Sequence, residues 1–400
     1  MKILIITQYF WPENFKINDI AIGLSEKGHL VEILTCKPNY PLGKFASGYT
    51  FFNKRVEYWN NIKIYRSGVI PRGKGKGLSL FINYISFSIF GSIRVLFIRN
   101  NFDKIFVFEP SPITVGIPAI IAKYKFKAPI YFWVQDLWPA SIYAGGGINN
   151  KFVINAFDLL TRFIYKHSEK ILVQSKAFIP YILNQKINKK KIVYYPNTTE
   201  KIYKYHKPNL DLLSSLPKGF KIMYAGNIGE SQSFDTLLKS AKMLKEENIE
   251  VFWLILGDGR LKDYVRNKII EFGLKDNFLL LGSYPNNKMP DFFSCTDFLL
   301  VALKKDIIFS LTIPSKIQSY MASQKPIIAS LDGEGARIIE EANAGFTSNA
   351  EDYIGLKESV KKAIALSKDE IFQLGINARN YFDKEFERDQ LINNLEIILS

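Results

Sequence analysis

The stretch Trp133-Val134-Gln135-Asp136-Leu137-Trp138-Pro139 ends an apolar run with an acid set among aromatics. A parallel strand would deliver Asp136 to the carboxyl edge of a sheet. There a carboxylate can orient an acceptor hydroxyl or take its proton, with Trp138 beside it. The plainer reading is a helix N-cap, a position that favours Asp. Near the start, Tyr9-Phe10-Trp11-Pro12-Glu13-Asn14-Phe15-Lys16 offers Trp11 for stacking on a sugar, Glu13 to accept from hydroxyls and Lys16 to reach a phosphate. In the second half, Gly226-Asn227-Ile228-Gly229-Glu230-Ser231-Gln232-Ser233 lies between an apolar run and a helical one. Such a loop can present backbone N–H groups to a diphosphate at a helix N-terminus, with Gly226, Asn227 and Gln232 in contact. Its plain alternative is a tight turn. Gly257-Asp258-Gly259 is a second turn that can lie against a nucleotide, Tyr284 follows the next apolar run, and Glu334 in Asp332-Gly333-Glu334-Gly335 can touch a donor sugar. Pro314-Ser315-Lys316 opens another helical run. Proline suits a first turn, but a lysine there opposes the helix dipole. An anion bound there would reconcile the two, so Lys316 is a diphosphate candidate; the alternative is a solvated surface lysine.

These residues need elements to hold them. Ile3–Thr7 reads as a strand, Asp19–Lys27 as a helix stopped by Gly28, and Val31–Thr35 as the next strand, a βαβ unit. Further strands are expected at Ile62–Arg66, Lys104–Glu109, Ile130–Val134, Ile171–Gln174 and Ile192–Tyr195, with helices over Ser111–Lys123 and Asn150–Lys166. Thr198–Lys218, broken by Pro208 and Pro217, reads as a linker. A second series follows: strands Lys221–Ala225, Val251–Leu256 and Phe278–Leu281, helices Phe234–Glu246 and Leu261–Phe272, then short elements and a helical tail over Asp369–Ser400. The expectation is two Rossmann-like, doubly wound α/β domains facing across a cleft, with ligand at the carboxyl ends of the strands. Residues 1–200 form the first, with 376–400 packing back on it, and 201–375 the second.

Leu78–Ile98 is apolar for about one membrane-spanning length, with Arg94 its one charge. Arg72-Gly73-Lys74-Gly75-Lys76 precedes it and Arg99 follows. A helix lying on a membrane face beside anionic lipid fits this pattern; a buried helix is the alternative, and a span would split the sheet. Among the 400 residues, Lys and Arg outnumber Asp and Glu by 53 to 38, for a net charge of +15. That balance attracts polyanions. No nucleic-acid recognition motif accompanies it, so nucleic acid is not an expected partner. Cys36 and Cys295 are too far apart to read as a metal or disulfide pattern, and His29, His167 and His206 make no ligand set. The first residues do not read as a signal peptide, and the cysteine usage fits a reducing cytoplasm.

In order, Gln8-Tyr9-Phe10-Trp11-Pro12-Glu13, Gly28-His29, Pro38-Asn39-Tyr40-Pro41, Val134-Gln135-Asp136-Leu137-Trp138-Pro139, Gly226-Asn227-Ile228-Gly229, Gly257-Asp258-Gly259, Pro314-Ser315-Lys316-Ile317-Gln318-Ser319-Tyr320 and Asp332-Gly333-Glu334-Gly335 resemble the family 4 glycosyltransferases of the GT-B fold. The likeness covers essentially the whole chain. It is nearest to the bacterial branch that builds O-antigen, colanic acid and capsule, L-fucosamine transferases included. The resemblance implies a nucleotide-sugar donor held by the second domain, UDP-linked and carrying an N-acetyl amino sugar such as L-FucNAc or GlcNAc. It implies transfer with retention of configuration, no cofactor and no required metal. The acceptor it implies is a polyprenyl-diphosphate-linked saccharide on the first domain, at the inner face of the cytoplasmic membrane.

The chain departs from the family pattern at several places. Asn227 and Ser233 stand where many members carry an Arg and a Lys, and Leu311 and Ser319 where many carry two glutamates. Phe15-Lys16 replaces a glycine pair, and Gln135-Asp136 stands where a His is common. The positive charge is therefore expected from Lys316 and Lys16, and the hydroxyl contacts from Gln318 and Glu334. A sugar-nucleotide 2-epimerase and a non-catalytic binder of nucleotide or lipid carrier are the alternatives; the first needs strong acid–base groups that so His-poor a chain lacks.

Overall fold

Continuous apolar runs buried on both faces form parallel strands, and this chain uses them twice. The computed structural model describes residues 1–75, 77–141 and 150–400. Of the basic run 72–76, Lys76 lies outside the described residues. The chain divides into two units, Met1–Pro196 with Asp389–Ser400, and Asn197–Arg388.

The first unit holds an eight-stranded sheet in the order β3-β4-β2-β1-β5-β6-β7-β8. Its strands are β1 (Lys2–Ile6), β2 (Leu30–Cys36), β3 (Val56–Trp59), β4 (Ile62–Ser67), β5 (Lys104–Glu109), β6 (Ile130–Val134), β7 (Lys170–Val173) and β8 (Ile192–Tyr194). All pair in parallel except β3 with β4. Helices α1 (Lys16–Glu26), α2 (Gly77–Leu96), α3 (Gly116–Phe126), α4 (Lys151–His167) and α5 (Phe178–Asn184) connect them. Ile3, Ile5, Ile33 and Phe106 are fully buried at the sheet centre.

The 20-residue α2 has two faces. Asn83, Phe87, Gly91 and Val95, four apart, are buried, and the helix packs on α3 and β4. Leu78, Ile82, Ile89, Ile93 and Leu96 stand exposed on the opposite side. By length and composition α2 can cross a membrane, yet its inner face belongs to this unit. The simple-burial expectation describes only half of it.

The second unit holds a six-stranded parallel sheet in the order β11-β10-β9-β12-β13-β14. The strands are β9 (Lys221–Ala225), β10 (Phe252–Leu256), β11 (Phe278–Gly282), β12 (Phe298–Ala302), β13 (Ile327–Ser330) and β14 (Gly345–Ser348). Its helices are α6 (Leu210–Ser215), α7 (Phe234–Glu246), α8 (Lys262–Glu271), α9 (Met289–Ser294), α10 (Ile307–Leu311), α11 (Ser315–Ala322), α12 (Glu334–Glu341), α13 (Tyr353–Ile364) and α14 (Lys368–Glu385). Two apolar layers, one on each side of the sheet, make its core.

The expected boundaries shift in three places. The stretch read as linker carries α6, capped by the Asn209 side chain on Leu212 N. The tail is two helices, and α14 stays with the second unit. Only α15 (Arg388–Leu399) returns to the first, where Leu391, Ile392, Leu395 and Leu399 enter the core. Glu396 on α15 bonds Lys27 at 3.0 Å and His29 at 2.9 Å, which gives His29 a structural role.

Candidate active site: polar clusters at two sheet edges

In the second unit the carboxyl ends of β9 and β10 come together through their glycines. Gly226 N donates to Leu256 O at 2.8 Å, and Ile228 N to Asp258 O at 2.8 Å. Both Gly226 (φ +140°) and Gly257 (φ +147°) adopt backbone that L side chains rarely enter. A Cβ on Gly257 would stand 1.9 Å from Gly226 O, and one on Gly226 would stand 2.7 Å from Lys316 Cε. Glycine is required at both so that backbone and lysine can approach.

Lys316, in the first turn of α11, lays its ammonium 3.8 Å from the Tyr224 ring centroid and donates to Gln232 Oε1 at 2.6 Å. Tyr224 O–H donates to Asn227 O at 2.5 Å and stands 3.1 Å from the same Gln232 oxygen. Burial pushes the Lys316 pKa down to about 7. Among the described residues no carboxylate lies within ion-pair range of this ammonium. An unneutralised cation at the N-terminal end of a helix is a place for an anion.

The other expected donor-side residues are spread around this point. Gly226, Asn227, Gly257, Asp258 and Tyr284 line one cavity of about 240 Å³. Asp258 is exposed; its Oδ1 accepts from Gly259 N and its Oδ2 from Lys262, whose hydrogen bond holds its pKa down. Ser315 is exposed at the start of α11. Gln318 is buried and donates to Asn197 O at 2.6 Å, while its Oε1 has no partner among the described residues. Glu334 is 5% exposed, with its two oxygens held by Arg337 at 2.8 and 2.9 Å. That bidentate pair occupies the group expected to contact a sugar. Ser319 bonds Thr199 at 2.9 Å, and Leu311 ends α10.

In the first unit, Asp136 follows β6 and stands at the carboxyl edge. Burial raises its pKa to about 6, against the pull of the Ser111 hydroxyl and the Leu137 amide. Beside it is Glu109, the last residue of β5 and 0% exposed. Its carboxyl oxygens make no well-formed hydrogen bond among the described residues, although the Asp136 and Gln135 amides stand near enough to pull its pKa down in part. Burial, and then the Asp136 charge, push its pKa well up. Two buried carboxyls this close do not both ionise readily at neutral pH. Tyr84, on the inner side of α2, completes the cluster, with its ring 6.3 Å from that of Trp138. Trp138 is buried and packs on Phe157 at 5.0 Å.

A separate knot forms where β1 and β2 end. Glu13 accepts Asn39 N at 2.8 Å and Tyr40 N at 2.7 Å through Oε1, and Oε2 has no partner among the described residues. Burial raises its pKa. Trp11 stacks on Trp59 at 5.9 Å, and Lys16 opens α1. The structure thus brings Asn227, Gln232, Gly257 and Lys316 together, but Glu13 and Asp136 belong to different clusters of the first unit. Sequence reading passed over Glu109, although it ends an apolar strand just as Asp136 follows one. Tyr84 and Arg72 were masked by the apolar and basic runs that contain them.

Residues 213–381 match the family model described as Glycosyl transferases group 1. The glycosyltransferase WbjE of Pseudomonas aeruginosa is 25% identical over 64% of this chain and 65% of its own length, just under two thirds of that relative. The colanic acid biosynthesis glycosyl transferase WcaI of Escherichia coli K12 is 22% identical over 98% of each chain. The solved structure of Anabaena HepE in complex with UDP aligns with a TM-score of 0.69 at 13% identity, covering 100% of this chain and 99% of that one. At that identity the likeness speaks for the fold alone. The architecture is the two-domain GT-B fold.

Proposed function

We propose that this chain, whose residues 213–381 match the glycosyl transferases of group 1, moves a sugar from a nucleotide-sugar to a lipid-linked saccharide in bacterial surface polysaccharide synthesis. The observation that carries this reading is the half-buried ammonium of Lys316. It has no carboxylate partner among the described residues and is set against two glycine turns at the strand ends. A leaving nucleoside diphosphate develops charge at such a point, and fixed cations and helix N-termini stabilise it. The UDP bound in the HepE structure supports a uridine diphosphate donor, and the likeness to WcaI, named for colanic acid biosynthesis, supports a polysaccharide product.

In this reading the bond from the anomeric carbon to the diphosphate oxygen breaks, and a bond to the acceptor oxygen forms on the same face. The acceptor proton passes to the departing phosphate, and no metal is needed. Asp136 orients the acceptor hydroxyl. The donor sugar is an N-acetyl amino sugar such as L-FucNAc or GlcNAc.

The exposed apolar side of α2 lies on the anionic inner leaflet of the cytoplasmic membrane. Lys74 and Arg99 at its two ends, and the net charge of +15, match that surface.

Thermal unfolding with UDP, GDP, ADP, CMP and their sugar conjugates tests the reading. A ligand at one hundred times its dissociation constant adds about 2.7 kcal/mol of apparent stability. A selective rise with UDP and one UDP-sugar is expected. No rise with any nucleotide overturns the transferase reading. A product of inverted configuration by NMR overturns retention.

A further inference from the structure

Among the described residues, two arginines of the first unit are spent in ion pairs. Arg66 is buried and paired with Glu57, and Arg162 is paired with Asp158. Arg72 has no carboxylate partner among the described residues, yet it is built into place. Its backbone N–H donates to Asn39 Oδ1 at 3.1 Å, and its carbonyl accepts from Ser79 Oγ at 3.1 Å. Its guanidinium lies 4.8 Å from the Tyr40 ring centroid and 5.9 Å from that of Tyr9. Those rings are locked in turn, since Tyr9 stacks on Phe15 at 5.1 Å and Tyr40 N is held by Glu13. Asn83, on the buried face of α2, bonds both Gln8 and Asn39 and fixes the knot to the helix.

Among the described residues the guanidinium's one polar contact is long, 3.5 Å to the Tyr9 hydroxyl. Most of its planar donor fork is therefore unspent, while stacking has already ordered the side chain. Stacked and pre-ordered, this is how arginine binds phosphate with two hydrogen bonds. Its place adds the second half of the argument. Five residues on, α2 begins, and its outer side runs Leu78, Ile82, Ile89 and Ile93 in the open. A cation that stands five residues before an exposed apolar stripe matches a ligand with a phosphate head and a long hydrocarbon tail.

We infer that Arg72 binds the diphosphate of an isoprenoid diphosphate, the carrier end of the acceptor, whose chain lies in the membrane along the outer side of α2. This rests on the lipid-linked acceptor of the proposed function and assigns the residue that would read it.

The test is flotation of the full chain on phosphatidylcholine vesicles. One set carries geranylgeranyl diphosphate, and the other carries phosphatidylglycerol at equal surface charge. The native chain is expected to favour the diphosphate set. Arg72→Gln should lose that preference, a drop of about tenfold or more for one bidentate charged contact, and keep its binding to phosphatidylglycerol. Arg72→Lys should recover only part of the preference. Far-UV dichroism and an unchanged UDP-induced thermal shift show that each variant is folded. A native chain with no preference overturns the inference, as does an equal loss on both vesicle sets, which would make Arg72 a reader of surface charge only. A native chain that responds to UDP but not to the diphosphate loses this site and keeps the transferase reading. One that prefers the diphosphate without responding to UDP does the reverse.

Discussion

Donor binding at Lys316 should be coupled to a proton. The free lysine titrates at about 7 because its ammonium is half-buried without an acid partner. At pH 7.5 about a quarter of molecules carry the charge, and at pH 9 about one in a hundred. A diphosphate beside the ammonium favours the charged form and lifts its pKa above this range. The dissociation constant for UDP should then weaken about twentyfold from pH 7.5 to pH 9, or about 2 kcal/mol. The phosphate's own second ionisation, near pH 6, is complete throughout. Calorimetry in buffers of different ionisation heat should show about 0.8 proton taken up per UDP at pH 7.5. Lys316→Met should bind UDP more weakly at pH 7.5, with no proton uptake and no slope. The stability of the free protein should run the other way. Because the folded pKa lies below the unfolded value of 10.5, the unfolded chain binds more protons between them, so stability rises as pH climbs from about 7. Native affinity that stays flat from pH 7.5 to 9, with UDP still bound, would refute the reasoning.

Other outcomes follow from the same geometry. Asp136→Asn should cut transfer by about one hundredfold or more while raising the unfolding midpoint at pH 7. A carboxyl with a raised folded pKa stabilises the fold only below that pKa, and its charge at neutral pH is a cost; a lowered midpoint would contradict this. Native transfer should fall as the pH drops through about 6, where Asp136 takes up its proton, and a profile flat down to pH 5 argues against its role. Ile89→Asp, at a position 52% exposed, should change stability by less than about 0.5 kcal/mol. It should weaken vesicle binding by about tenfold or more, the worth of one buried aliphatic side chain. EDTA should leave the transfer rate unchanged.

The central strands were readable because burial on both faces writes itself as unbroken apolar sequence. β5, β6 and β9 fall where Lys104–Glu109, Ile130–Val134 and Lys221–Ala225 were expected. β3 was not readable: it is a four-residue edge strand that pairs on one side only, and Glu57 and Tyr58 break any apolar run. β14 begins at a glycine and continues in Thr and Ser, so it resembles a loop. Lys316 stood out because its charge conflicts with its place in a helix, a conflict visible in three consecutive residues. The clusters of Glu109 with Asp136, and of Arg72 with Asn39 and Asn83, are joined by contacts that span 27 to 44 residues. No local pattern reports that distance, and each member alone reads as an ordinary polar residue. Glu334 illustrates the converse: local spacing offers it as a ligand contact, and the same spacing puts Arg337 one helical turn away to claim it.

The return of α15 to the first unit has a consequence for the order in which the molecule can be made. A ribosome releases residues 1–196 well before Leu391, Ile392, Leu395 and Leu399 exist to fill the core beneath β1 and α1. The second unit, contiguous from Asn197 to Arg388, can close while it emerges, whereas the first must wait with apolar surface uncovered until α15 has been made. Folding of the two halves therefore runs against the direction of synthesis, and the early half is the one in need of chaperone cover.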